Sequence, residues 1–535
     1  YSSEPSYSES FGTNGWQLSN ISHLTASLGS YTIRFTGGSI DGYQVPAASF
    51  SWTNTGLVSF AAGADGWAML LEPESGSGTA SIAAQTVDAA GVTYVVGSFS
   101  GSLDFDPRPD SELILAADGD EGAGFIARYD AAGGVLGVWQ IGGGVGAVAA
   151  ANGRLALAGT FRGAGVDLDP RADVTTSFGV AGEQYGFVLT IDAITGEPVA
   201  TTLLSVTAAD GVDPSLWYAY GGTFDMLMLA DDGRVFLGGS VRSATVSGPT
   251  AGGGLVSLGV PNEESDGYVA AIDPSGFVSW AVRLEGDPAM YVPATVGGMA
   301  LAGDLLALGV ARSGPLGILP NEPETAEAVV VIGLEAATGG YRWHTSVADG
   351  AVDNRDAVPV AATADGRVHA AGQVWIGDSV PGTVSTQVAG VATIDAATGS
   401  LVGAPVSVGD LVGGSGTFYA VALLPQADNS TIFMTAESFA DTTDTTFHLL
   451  DLGPSGESGG PLVADWSATQ SGWPLAASLA PDGRIVLLSS LNESELFPIG
   501  TGGDPQRLFS ATGYTNAVWS LRDPFSGAGD PSTNE

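Results

Sequence analysis

An all-β fold made of one repeated four-stranded unit is predicted by three observations. Two kinds of tight glycine turn alternate along the chain, eight copies of each. The segments between them are short apolar runs, too brief and too glycine-bounded for helices. One of the turns recurs about every sixty residues, which leaves room for four strands per repeat. Four-stranded units repeated radially make a β-propeller. The expectation is therefore an eight-bladed ring, with seven blades plus an N-terminal accessory element as the alternative.

The first turn separates an apolar strand from a β-branched one. It reads VDAAG at 87–91, AANG at 150–153, ADDG at 230–233, ADG at 364–366 and PDG at 481–483, with looser copies at 27–30, 301–304 and 426–429. Asp-Gly and Asn-Gly supply the positive φ angles that tight hairpins need. The second turn reads EPESG, DAAG, DAITG, DPSG, EAATG, DAATG, GPSG and DPFSG. Its glycines, from Gly76 to Gly527, are spaced 57, 63, 80, 63, 60, 57 and 71 residues apart. A stacked solenoid normally uses shorter repeats, and separate sandwiches need about a hundred residues each.

These turns divide a single domain into a polar tail at 1–9, a closing strand at 10–20 and eight blades. The blades fall near 21–80, 81–143, 144–207, 222–288, 292–350, 355–412, 416–470 and 473–527, followed by a polar tail at 528–535. The fourth strand often carries a tryptophan, as at Trp139, Trp280, Trp343 and Trp466. The last repeat runs into the tail without a fourth strand. Trp16-Gln17-Leu18 echoes Trp139-Gln140-Ile141, so the N-terminal segment is expected to pair into the final blade. An unpaired last blade would leave both an edge and a gap in the core.

The repeat resembles the bacterial SBBP-type β-propeller repeat. The likeness rests on GSFSGSLDFDP at 97–107, GFIARYD at 124–130, GTFRGAGVDLDP at 159–170, YGFVLTID at 185–192 and DGYVAAIDPSGFVSWAVRL at 266–284. It covers most of the chain, although the DxDP element survives in two repeats only. The resemblance implies an exported or surface protein and no particular enzymatic activity.

Composition narrows the function classes. The net charge of −42 arises because 58 acidic residues face 16 arginines and no lysine. That field excludes nucleic acid as a partner and disfavours anionic lipid. There is no cysteine, hence no disulfide, thiolate metal site or cysteine nucleophile. No apolar run reaches transmembrane length. The chain begins at Tyr1 without a leader, which reads as a mature form after signal-peptide removal.

The long, acidic second-to-third-strand loops (roughly 99–122, 161–182 and 242–266) share one face, where function usually sits. Within them Asp104 and Asp106, and Asp167 and Asp169, stand at i, i+2 and point the same way on an extended strand. Asp110 and Asp173 follow four residues later, and together these oxygens suit Ca²⁺. The alternative is that these side chains cap turn backbone. Residues 118–122 resemble the start of a calcium loop without its twelfth-position Glu.

The histidines His23, His344, His369 and His448 show no metal-ligand spacing, and no nucleophile, phosphate-loop or dinucleotide motif occurs. The repeated tryptophans read as blade packing. Trp52, Trp217 and Trp375, outside the pattern in irregular stretches, are the candidate partner contacts. The leading expectation is a non-catalytic interaction or structural module, exported to the surface, with a protein partner or self-assembly. A carbohydrate-active hydrolase or lyase using carboxylates on the central face is one alternative, and a calcium-stabilised adhesin is the other.

Overall fold

A computed structural model describes residues 9–12, 15–18, 29–35, 38–40, 43–45, 48–54, 58–63, 66–71, 79–106, 112–117, 122–171, 173–208, 223–224, 226–242, 244–259, 265–284, 294–313, 316, 318–319, 327–349, 358–376, 386–403, 405–408, 417–438, 444–453, 464–497 and 507–521. Its regular elements are strands, and none of its helices is long and apolar enough to cross a membrane.

Seven antiparallel sheets form the blades of a β-propeller. The first blade runs Ala80–Val87, Thr93–Phe99, Ala123–Tyr129 and Val135–Gly142 from the axis outward. The second runs Gly144–Ala151, Arg154–Arg162, Gln184–Asp192 and Pro198–Ala208. The next three begin at Met226, Thr295 and Val360 and repeat the order. Strand Ala464–Leu479 serves two blades. Up to Ser471 it is the outer strand of the sixth, and from Gly472 it is the inner strand of the seventh. The seven inner strands touch in cyclic order, the last against the first.

Middle strands carry side chains buried on both faces, so they read as continuous apolar runs. Residues 123–127 and 185–191 are buried without interruption. Two glycines in these blades mark where neighbouring chain comes too close for a side chain. A Cβ on Gly97 would lie 1.9 Å from the carbonyl oxygen of Ser81, and one on Gly159 would lie 2.0 Å from that of Gly144. Each glycine also faces a phenylalanine across the sheet, Phe125 and Phe187. The phenylalanine of each G-x-F packs on that same ring, Phe99 on Phe125 at 6.2 Å and Phe161 on Phe187 at 6.3 Å between centroids, so the repeated G-x-F is a packing unit.

The propeller is as expected, but the ring has seven blades, the alternative count, and not eight. It is closed by a strand from the N-terminal part of the chain, Gly66–Leu71, which pairs with Arg507–Leu521 in the register Ala517 to Leu70, Val518 to Met69 and Trp519 to Ala68. Trp67, Met69 and Leu71 enter the core between the seventh and first blades at 1%, 0% and 2% exposure. The Trp67 amide donates to Ser520 Oγ at 3.0 Å. Gln85 Nε2 donates to Ser478 Oγ and to the Val486 carbonyl, both at 3.1 Å, and Asn516 Nδ2 donates to the Ile82 carbonyl at 2.7 Å. The Gln85 and Asn516 bonds tie the last blade to the first.

The segment 10–20 does not close the ring. Gly15–Leu18 pairs with Glu9–Gly12, placing Trp16 opposite Phe11. Nor does 21–80 form a blade of four strands. Gly29–Phe35 pairs with Ala48–Asn54, Gly38–Ile40 with Tyr43–Val45, and Val58–Gly63 adds outside the closing strand. The physical reason is that closure selects a period-two row of large apolar residues able to fill the gap between two blades. Trp67-x-Met69-x-Leu71 provides that row.

Candidate functional site

The two DxDP elements lie in the loops after the second strands of the first and second blades, and their geometry is copied residue for residue. Asp104 Oδ1 accepts from the amides of Asp106 (2.9 Å) and Leu113 (2.8 Å). Asp167 Oδ1 accepts from the amides of Asp169 (3.0 Å) and Thr176 (2.9 Å). Each first Asp therefore closes a small hairpin, Ser102–Asp104 with Ile114–Ala116 and Val166–Asp167 with Ser177–Phe178. The residue between the two acids points into the core. Phe105 is fully buried, 5.1 Å centroid to centroid from Phe125, and Leu168 is its counterpart at 1% exposure. Tyr129 Oη donates to the Phe105 carbonyl at 3.2 Å. Burial, with Asp106 and Asp104 beside it, raises that hydroxyl's pKa and keeps its proton in place.

Asp169 forms a two-point pair with Arg171, Nε to Oδ1 at 2.9 Å and Nη2 to Oδ2 at 2.8 Å. These bonds from Arg171 hold its carboxyl below the usual carboxylate range. Asp173 is exposed, and Asp110 and residues 118–121 lie outside the described residues. Among the described residues no group of three or more His, Asp or Glu side chains could hold a metal ion. Replacing Asp104 with Ala orphans the Asp106 and Leu113 amides. A loss of about 2 kcal/mol is expected, measured by chemical denaturation with Asn as the milder control.

The repeated tryptophans pack blade on blade. For Trp139, Trp280 and Trp343 the indole rests on the turn glycine of the next blade, where φ is +72°; the Trp466 side chain lies outside the described residues. A Cβ on Gly196 would lie 2.9 Å from Trp139, one on Gly339 2.7 Å from Trp280, and one on Gly399 2.6 Å from Trp343. Trp280 Nε1 donates to the Ala336 carbonyl at 3.2 Å, and Trp343 Nε1 to that of Ala396 at 2.9 Å. At the first blade the equivalent carbonyl, Ala193, receives Arg128, whose guanidinium lies 4.0 Å over the Trp139 ring. The second blade substitutes a hydroxyl, with Thr202 Oγ1 donating to the Gly276 carbonyl at 2.8 Å.

Of the three candidate contact tryptophans, Trp52 lies in Ala48–Asn54 opposite Tyr31, and Trp375 lies in Arg367–Ile376 opposite Gln387. Both occupy paired strands and not the irregular stretches expected. Their side chains, and the whole of Trp217, lie outside the described residues.

The described histidines do not converge. His344 Nδ1 is bonded to Tyr341 Oη at 2.6 Å, and His448 Nε2 lies 3.1 Å from Glu437 Oε2. His23 lies outside the described residues. His369 is 1% exposed, with Nδ1 3.2 Å from Thr393 Oγ1. Burial lowers its pKa to about 4. The folded protein thus keeps this imidazole neutral at pH values where the unfolded chain, near 6.5, takes up a proton. Its contribution is present above pH 6.5 and is lost as pH falls towards 4, about 3 kcal/mol in all. Denaturant midpoints at pH 7 and pH 4.5 are expected to differ less in His369→Gln than in the parent.

The site that the sequence reading did not anticipate is a groove of about 1440 Å³ between the first two blades. One wall is Val138–Gly142 of the first blade's outer strand. The other is Thr160–Arg162 with the second DxDP hairpin. It depends on how two repeats sit side by side, which no single repeat reveals. Gln140 and Gln184 at its edges carried no motif in the sequence.

No protein-family model and no curated protein matches the sequence. Among solved structures, the chain is similar to quinohemoprotein alcohol dehydrogenase from Comamonas testosteroni, at 12% identity over 83% of this chain and 76% of that one, with a TM-score of 0.37. It is similar to Sqt1 from Chaetomium thermophilum, at 11% identity over 83% and 96%, TM-score 0.33. It is also similar to the polysaccharide lyase Uly1, at 10% identity over 80% and 88%, TM-score 0.35. Likenesses this remote carry no argument about activity.

Proposed function

We propose that this protein is a non-catalytic interaction module, exported and working in a surface or extracellular assembly, as the SBBP-type resemblance implies. The observation that supports the reading best is the use made of the DxDP carboxylates. Asp104 and Asp167 hold loop amides, and Asp169 is held by Arg171, so the acids most conspicuous in the sequence maintain the loop face. A rigid ring locked by indoles, with shaped loops and a rim groove on one side, suits holding a partner in place.

The test is the state of the protein in material from its source, by size-exclusion with light scattering and by cross-linking. Recovery in a defined complex larger than 53.7 kDa supports the reading. Recovery alone, together with turnover of a polysaccharide that is lost on replacing central-face acids, would replace it with the hydrolase or lyase. A thermal midpoint that falls on adding EDTA and returns with Ca²⁺ would replace it with the calcium-stabilised adhesin.

A further inference from the structure

We propose that Met226, Met228 and Met299 form an oxidant-sensitive joint between the third and fourth blades. Hydrogen peroxide converts these thioethers to sulfoxides ahead of the buried methionines, and the seam between the two blades loosens. This holds whether or not the ring carries a partner.

With no cysteine in the chain, its sulfur is carried by six methionines. Met290 lies outside the described residues, and the other five fall into two kinds. Met69 and Met434 are fully buried. Met226, Met228 and Met299 are partly exposed. Met226 and Met228 alternate on the third blade's inner strand, Met226–Leu229, so their side chains share a face. That face meets the fourth blade's inner strand, Thr295–Ala302, which carries Met299, and all three pack on the apolar core of this seam. Gly238, opposite Met226 in the sheet, makes room for the contact. A Cβ on Gly238 would lie 3.2 Å from Met226 Cβ and 3.5 Å from Met299 Sδ. The missing side chain thus lets the fourth blade's thioether reach across to the third.

Peroxide reaches a thioether from solvent, so exposure sets which sulfur reacts first. A sulfur lone pair attacks one peroxide oxygen. The O–O bond breaks and an S–O bond forms, so sulfur is oxidised and the peroxide reduced. The departing oxygen takes up the proton of the transferred hydroxyl and leaves as water. The flexible apolar side chain becomes a polar sulfoxide. In this seam it is packed with Phe236, Val269, Leu306 and Leu308, all fully buried. Such a surface offers the new oxygen no hydrogen bond, so it must turn toward water and give up its packing. The closing strand is spared, because Met69 is buried in the seam on the far side of the ring.

The test treats the full chain with hydrogen peroxide and follows each methionine by peptide mapping with mass spectrometry. Urea midpoints are measured on the same samples. Every form carries Met290→Leu, so that the remaining sulfur is the five described thioethers. Met226, Met228 and Met299 are expected to gain oxygen about tenfold or more faster than Met69 and Met434. The urea midpoint should fall in step with that gain and recover on treatment with methionine sulfoxide reductases. A form with Met226→Leu, Met228→Leu and Met299→Leu, which keeps the packed volume, should hold its midpoint under the same treatment. If that form does not fold, the three single leucine variants carry the test, each expected to lessen the fall. Oxidation of Met69 or Met434 as fast as the three would overturn the proposal. So would an unchanged midpoint once the three are fully oxidised, or an equal fall in the leucine variants.

Discussion

Trp343→Ala is expected to cost about 3–5 kcal/mol, the range for removing a buried tryptophan. The indole is 7% exposed and held between two glycines. A Cβ on Gly333 of its own blade would lie 2.5 Å from the ring, and one on Gly399 of the next blade 2.6 Å. No side chain is available on either side to collapse into the space, so the cavity stays open and the cost falls at the high end. The bond from Nε1 to the Ala396 carbonyl, at 2.9 Å, is lost as well. Trp343→Phe separates the two contributions. It keeps most of the packing and gives up the donor, for about 1–2 kcal/mol. Gly399→Ala is expected to destabilise too, through the same collision and its φ of +72°. Urea denaturation of the three variants checks the order. If Trp343→Ala and Trp343→Phe are equally mild, the indole does not lock the blades.

The second large effect concerns the closing strand. Met69 is 0% exposed and packs between the seventh and first blades. Met69→Asp places an unpaired carboxylate there, and a loss of more than about 4 kcal/mol is expected. Met69→Leu conserves volume and is expected to cost under about 1.5 kcal/mol. Proteolysis of the two variants provides the readout. Opening of the ring at this seam exposes the inner strand Ala80–Val87 and the C-terminal strand Arg507–Leu521 together, so early cuts should appear at both ends of the chain.

Much of this architecture is legible in the sequence because it repeats locally. Asn152-Gly153 and Asp-Gly at 232–233 and 482–483 announce hairpins, and the positive φ values at Asn152, Gly153, Gly233 and Gly483 are what those residues supply. Trp139, Trp280 and Trp343 share a repeat position because each meets the turn glycine of the next blade. Asp104 and Asp167 read equally as cation ligands or as caps, since a carboxylate at i, i+2 serves both. Only the positions of the Leu113 and Thr176 amides, nine residues on, decide which their Oδ1 atoms do.

Closure was misplaced for a related reason. Trp16-Gln17-Leu18 copies the letters of an outer strand, whereas Trp67-x-Met69-x-Leu71 supplies the alternate buried row that closure needs. Ring closure depends on filling a gap between distant blades, a property of volume that a tripeptide likeness does not carry. The groove was invisible for the same reason, being a relation between Val138–Gly142 of one blade and Arg162 of the next.

The central claim, a ring of seven blades closed by Gly66–Leu71, has a direct test because the chain has no cysteine. Leu70 and Ala517 stand opposite each other across the closing seam. Directly opposed residues on antiparallel strands lie within disulfide reach. Mild oxidation of the Leu70→Cys, Ala517→Cys double variant is expected to give a single intramolecular disulfide, seen as a shift on non-reducing gels and as one cross-linked peptide by mass spectrometry. The Gln17→Cys, Ala517→Cys variant is expected to remain reduced under the same conditions. Cross-linking of the second pair and not the first would contradict the seven-bladed closure and put the ring's seam at the chain's first strands.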